Sequence, residues 1–209
     1  MIKAIIFDVD GVLIDSFKAN LKFFTDLMPK FGYPAPTKEE YMAIFHMPMI
    51  DVIKTLSKSQ SNEEIEKMYK AGMSREIDYN LLLLKMPDQA KETIQTLSKK
   101  YKLGIVTGRI RKSVFEGSDL ARLKKCFKVV VAYEDTVNHK PDPEPLLLAA
   151  EKLAVFPKEC VYIGDAENDI AAARAARMKS ILYSKVVSTN ANAHTSVFAE
   201  LPKIIETLK

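Results

Sequence analysis

Asp8 and Asp10 stand two residues apart in the stretch FDVDGVLIDS, directly after the apolar run IKAIIF and directly before Gly11. In an extended chain residues i and i+2 project to the same side, so both carboxylates can face one point at the end of a strand. Two carboxylates held that close repel, and one pKa rises unless a cation compensates. A cluster of hard oxygen donors of this kind suits Mg²⁺ rather than zinc. Turns and helix caps also use Asp-x-Asp-Gly, so the pair taken alone is equally a plain turn.

Three further stretches carry polar groups of the right type. IVTGR places Thr107 and Gly108 at the end of an apolar segment, where a hydroxyl and a backbone N–H can grip a phosphate oxygen. NHKPDPEP holds Lys140 ahead of two prolines that keep the chain extended and start a helix, which fixes an ammonium in place. YIGDAENDIAAARAA supplies Gly164 and Asp165, then Asp169 four residues on, at the mouth of a helix. Helix capping accounts for one acid there, but hardly for two in addition to Asp8 and Asp10.

These groups need a scaffold that brings distant segments to one edge. Residues 2–7, 103–107, 128–132, 160–164 and 180–183 are short and rich in β-branched residues, as buried parallel strands are. Residues 88–100, 144–153 and 169–177 between the later strands have helical patterns. Strand alternating with helix predicts a doubly wound α/β sheet, whose ligands sit at the carboxyl ends of the strands. The interval from Asp15 to Lys85 far exceeds the dozen or so residues a crossover needs, so it must hold its own structure. Phe17, Leu21, Phe24 and Met28 fall at helical spacing, and so do Ile65, Met68, Tyr69 and Met73 after a cap at Ser61 or Asn62. A small helical bundle is expected there. Residues 15–85 hold ten Lys/Arg and ten Asp/Glu, so the whole formal excess of +4 belongs to the α/β part.

Composition narrows the function classes. With 209 residues, 47% hydrophobic and 28% charged, the chain is an ordinary folded one of one domain plus an insertion. A formal charge of +4 without a Lys/Arg stripe argues against a nucleic-acid binder. No apolar run has the length of a membrane span or a signal h-region, so no membrane partner is expected and a cytoplasmic location is the default. Cys126 and Cys160, with no metal-ligand spacing, are expected to be small buried thiols.

In order, spacing and strand-end context, the set DxDG, T-G, K-P-D-P and GDxxxD resembles the haloacid dehalogenase (HAD) superfamily, in its phosphoglycolate-phosphatase-like branch. The resemblance covers the whole α/β part, and the helical insertion is similar to that branch's cap. It implies a Rossmann-like parallel sheet of order 3-2-1-4-5, a core of residues 1–14 and 86–209, and an all-helical cap at 15–85. First and fourth strands would be neighbours, bringing Asp165 beside Asp8. The resemblance further implies a Mg²⁺-dependent phosphatase for a small phosphorylated metabolite, similar to phosphoglycolate or a sugar phosphate. Asp8 would be the nucleophile that becomes an aspartyl-phosphate, and Asp10 the general acid and then base. Mg²⁺ would be held by Asp8, the backbone carbonyl of Asp10, and Asp165, with Asp169 in support; Thr107, Gly108 and Lys140 would bind the transferring phosphoryl group.

The chain departs from the branch in two places. His46 in FHMPMIDVI stands where the cap of that branch carries a glycine, so it is either a substrate contact or an ordinary surface histidine. Arg177 stands where a glycine often ends the helix after the last motif, at a position that favours left-handed backbone. Arg109 and Arg111 follow Thr107 but, as loop arginines, are expected to be solvated. Asp15 and Ser16 are expected to begin the first cap helix. Two other activities fit the same residues: a phosphosugar mutase, which returns the phosphoryl group to sugar, and a phosphoaccepting signalling module, which would not need the insertion. The chain is expected to act as a monomer or homodimer.

Overall fold

The computed structural model describes residues 1–186, 188 and 190–208. They form two compact units, one of Met1–Asp15 with Lys85–Lys209 and one of Ser16–Leu84. The first unit is built on six parallel strands: β1 Ala4–Phe7, β2 Lys102–Val106, β3 Phe127–Val131, β4 Cys160–Gly164, β5 Lys179–Tyr183 and β6 Ala193–Thr195. Their order is β3-β2-β1-β4-β5-β6, the expected five-strand order with one edge strand added. Three residues, Ala-His-Thr, are too few and too polar to give β6 a periodic signature.

All four β1 residues are buried, as a central parallel strand covered on both faces requires. Phe7 lies opposite Ile105 of β2 and Ile163 of β4, so the three strands end within one residue of one another. Chain order reverses between β1 and β4, which puts a crevice beyond their carboxyl ends. The insertion leaves and returns next to that point: Asp15 N–H donates to Lys85 O at 2.8 Å and Lys85 N–H to Asp15 O at 3.4 Å.

Helices are numbered in chain order. Those of the inserted unit are α1 Phe17–Lys30, α2 Lys38–Ile44, α3 Met49–Ser57 and α4 Asn62–Met73; those of the α/β unit are α5 Ala90–Leu97, α6 Ser118–Arg122, α7 Glu144–Lys152, α8 Glu167–Ala175 and α9 Leu201–Thr207. In the inserted unit Phe24, Met28, Ile65 and Met68 are buried in one core with Phe23, Leu27, Tyr41, Val52 and Ile53, while Phe17, Leu21 and Tyr69 pack half-buried against it. Ser61 caps α4, its Oγ accepting from Glu64 N–H at 3.3 Å. Ser16 precedes α1 as its cap residue, whereas Asp15 belongs to the pairing with Lys85.

In the α/β unit Ile6, Val106, Val131 and Tyr162 from four strands pack against Leu146, Ala149 and Ala150 of α7 and Ala172 and Ala173 of α8. Helix α8 ends in two reverse bonds, Met178 N–H to Ala173 O at 2.9 Å and Arg177 N–H to Arg174 O at 3.0 Å. Arg177 takes the left-handed conformation this closure needs, with φ +58°, despite its side chain.

Candidate active site

The site is assembled where β1, β2 and β4 end. Asp8 N–H donates to Ile163 O at 2.9 Å, which extends the β1–β4 pairing one residue and sets Asp8 beside Gly164. The Asp8 carboxylate accepts from its neighbour Val9 N–H at 2.7 Å and pairs with Lys140 Nζ at 2.9 Å. Carboxylate oxygens of Asp8, Asp165 and Asp169 all lie within 4.8 Å of one another.

Two glycines make that convergence possible. A Cβ on Gly11 would sit 2.0 Å from Asp165 Oδ2, and Gly11 has φ +75°, so it admits the Asp165 carboxylate as well as turning the chain. A Cβ on Gly164 would lie 2.3 Å from Asp169 Cβ. Asp169, buried in the first turn of α8, uses Oδ2 to accept from Asp165 N–H at 3.1 Å and Ala166 N–H at 3.2 Å. Its Oδ1 accepts from Lys140 Nζ at 2.7 Å. Both Asp169 oxygens are thus committed to holding the loop and the lysine.

Tyr162 fixes Lys140 from below, its hydroxyl lying 3.0 Å from Nζ and donating to Val106 O at 3.3 Å. In the sequence Tyr162 reads only as a strand residue; the one signal it leaves is that a phenol in a central strand needs a buried partner. The loop that carries Lys140 has a cis Lys140–Pro141 bond and is tied by Glu144, which accepts from Val137 and Asn138 N–H.

Burial pushes the Asp8 carboxyl up to about 6; Lys140 pulls it back, and Asp169 and Asp10 add to the rise. Burial, then the Asp169 and Asp8 charges, holds Asp165 well above the usual carboxylate range. For Lys140 burial works the other way, yet Asp169 and Asp8 outweigh it and keep the ammonium charged. Three carboxylates around one ammonium leave two negative charges when all are ionised. Oxygen donors at this spacing with that charge fit a divalent, oxygen-preferring cation such as Mg²⁺.

Asp10 does not join this cluster through its side chain. Both its oxygens are taken by Arg109, Oδ2 by Nε at 2.8 Å and Oδ1 by Nη2 at 2.6 Å. Arg109 is therefore only 10% exposed, not solvated as the sequence suggests. Arg111 is 53% exposed, as expected, and at the surface it pairs with Asp135 and donates its N–H to Glu134. Thr107 is buried at the end of β2, its Oγ1 accepting from Arg109 N–H at 3.2 Å, which leaves the hydroxyl hydrogen to donate. A Cβ on Gly108 would meet open space. His46 belongs to the inserted unit, exposed in the turn between α2 and α3, whereas all the other candidate residues belong to the α/β unit.

Fold and site together define the class: a doubly wound α/β enzyme with a carboxylate cluster at its switch point and a helical insertion after the first strand. Residues 5–183 match the family of haloacid dehalogenase-like hydrolases. The chain is similar to pyrophosphatase PpaX of Anoxybacillus flavithermus, 33% identical over 180 residues that cover 86% of this chain and 82% of that protein. It is similar in structure to a HAD-superfamily hydrolase of subfamily IA from Geobacter sulfurreducens, with TM-score 0.73, 30% identity and coverage of 98% and 96% of the two chains. It shares its fold with β-phosphoglucomutase of Clostridium difficile, with TM-score 0.79, 24% identity and coverage of 99% and 96%. The chain belongs to the haloacid dehalogenase-like hydrolase family, with an all-helical unit inserted after its first strand. Among the described residues no helix is long and apolar enough to cross a membrane.

Proposed function

We propose that this hydrolase is a Mg²⁺-dependent phosphatase that cleaves a small phosphorylated metabolite through an aspartyl-phosphate on Asp8. The observation that carries the reading is the placement of Asp8, buried at a strand end with Lys140 on one oxygen and the Asp165–Asp169 pair within 4.8 Å. Phosphoryl transfer depends on positioning and charge neutralisation more than on elaborate covalent chemistry, and this cluster supplies both.

Asp8 attacks phosphorus, which splits one difficult displacement into two easier ones. Lys140, charged and held between Asp8 and Asp169, binds the transferring group together with the Thr107 hydroxyl and the Gly108 N–H. Asp10 protonates the leaving oxygen and then takes a proton from the attacking water. Asp8, Asp165 and the Asp10 carbonyl would hold Mg²⁺, while Asp169, both of whose oxygens are committed, positions Asp165 and Lys140. When bound, Mg²⁺ neutralises charge on the carboxylates and phosphoryl oxygens and keeps Asp8 ionised. Residues 15–85 act as the cap that admits substrate and then excludes water, with His46 as a substrate contact. The protein works in the cytoplasm as a monomer or homodimer.

The 33% identity to a pyrophosphatase makes inorganic pyrophosphate a substrate to test beside phosphoglycolate and sugar phosphates. The test is turnover of this panel with Mg²⁺, with and without EDTA, following both substrate loss and phosphate release. EDTA-sensitive, stoichiometric release of phosphate is expected. Substrate loss without phosphate release would instead indicate a mutase, and no EDTA-sensitive turnover would overturn the proposal.

A further inference from the structure

Arg109 and Asp10 form the most specific ion pair of the α/β unit outside the acid cluster. Two parallel N–H bonds of 2.8 and 2.6 Å engage both carboxylate oxygens, and the third guanidinium nitrogen, Nη1, donates to Ser113 O at 3.2 Å. The pair is not an exposed accident of long side chains, because Arg109 is 10% and Asp10 28% exposed. Planar fork-to-fork pairing of this kind is strong and geometrically exacting. It fills the forward lone-pair directions of the Asp10 carboxylate, the same directions needed to meet a leaving oxygen or a water. Arg109 is also tied to the phosphoryl-binding side of the site, since its own N–H donates to the Thr107 hydroxyl.

We propose that Arg109 is a positioning and specificity-determining residue: it clamps Asp10 in an unproductive pose until a second anionic group on the substrate takes over the guanidinium. This rests on the reading of Asp10 as general acid and base. A carboxylate or second phosphate next to the scissile phosphoester can present two oxygens to the Arg109 fork, as Asp10 does. The exchange frees Asp10 only when such a group is present. A substrate without a second anionic group must break the clamp without replacing it. The substrate class that follows is phosphoesters bearing a second anion close to the ester oxygen. The guanidinium of neighbouring Arg111 bonds to Asp135 and to Val130 O rather than to Asp10, so Arg109 is the arginine of this loop positioned to make the exchange.

The test compares phosphoglycolate with ethyl phosphate, which has the same two-carbon frame without the carboxylate, in the wild type, Arg109→Gln and Arg109→Lys. In Arg109→Gln, KM for phosphoglycolate should rise about tenfold or more, the scale of a lost charge-assisted hydrogen bond. The kcat/KM for ethyl phosphate should rise about threefold, the scale of a partly exposed ion pair removed. The preference for the second anion thus collapses from both sides. Arg109→Lys, which keeps the charge but not the fork, should fall between, and carries the test if the glutamine variant fails to fold. Equal loss on both substrates, or an unchanged preference in a folded variant, would overturn the clamp. If the wild type turns over neither substrate nor any other of the panel with Mg²⁺, the phosphatase reading itself fails instead.

Discussion

Replacing Gly11 by alanine separates the role of this glycine in turning the chain from its role in admitting Asp165. Alanine at φ +75° costs about 1–2 kcal/mol of left-handed strain whatever surrounds it. The added Cβ would also lie 2.0 Å from Asp165 Oδ2 and 2.4 Å from its Cγ, far inside contact distance. Those atoms are the end of a side chain, so the clash is relieved by swinging the Asp165 carboxylate away from Asp8 and Asp169. Strain alone should lower Tm without metal by about 2–8 °C for a chain of this size. Moving one oxygen donor should weaken Mg²⁺ binding about 10–100-fold, as the loss of a group that orients a metal ligand does. Scanning calorimetry of the metal-free protein and titration calorimetry with Mg²⁺ read the two effects apart. The double variant Gly11→Ala with Asp165→Ala should recover part of the stability loss, because little of the clash remains. A Gly11→Ala protein that binds Mg²⁺ within twofold of the wild type would refute the steric argument.

Lys140→Met should destabilise the fold by about 3 kcal/mol, because it leaves the Asp8 and Asp169 carboxylates without their shared cation, and should cut kcat by two orders of magnitude or more; urea unfolding and steady-state kinetics check both. The pH dependence follows from Asp8, whose carboxyl rises from 3.8 to about 6 mainly through burial. Its stabilising contribution is present below the lower value and is lost as pH rises through the upper one. Mg²⁺ binds the ionised carboxylates, so its Tm increment should be larger near pH 7.5 than near pH 5, and equal increments would contradict the assignment.

How much of this was legible in the sequence depends on which physical signal each part leaves. The five main strands show because buried parallel strands are continuous β-branched runs, and the insertion shows because no crossover needs so many residues. Helix α2 is carried by a reciprocal cap, Thr37 Oγ1 accepting from Glu40 N–H and Glu40 accepting from Thr37 N–H. Its T-x-x-E signature lies in plain view as TKEE, but the segment is too short for a periodic face. The acids and Lys140 are legible as strand-end residues, yet their convergence depends on β1 and β4 being neighbours, which spacing along the chain does not encode. Arg109 leaves no signal, since only the folded loop brings its guanidinium to Asp10, ninety-nine residues away in sequence. The functions of Gly11 and Gly164 are hidden for the same reason: their missing Cβ atoms matter because of residues far along the chain or one helical turn away.

The most direct test of the central claim is to quench the reacting enzyme in acid and locate the phosphoryl group by peptide mass spectrometry, comparing wild type with Asp8→Asn. Phosphate is expected on the Asp8 carboxylate in the wild type, and neither adduct nor turnover in Asp8→Asn. Turnover retained by Asp8→Asn, or phosphate on another residue, would contradict it.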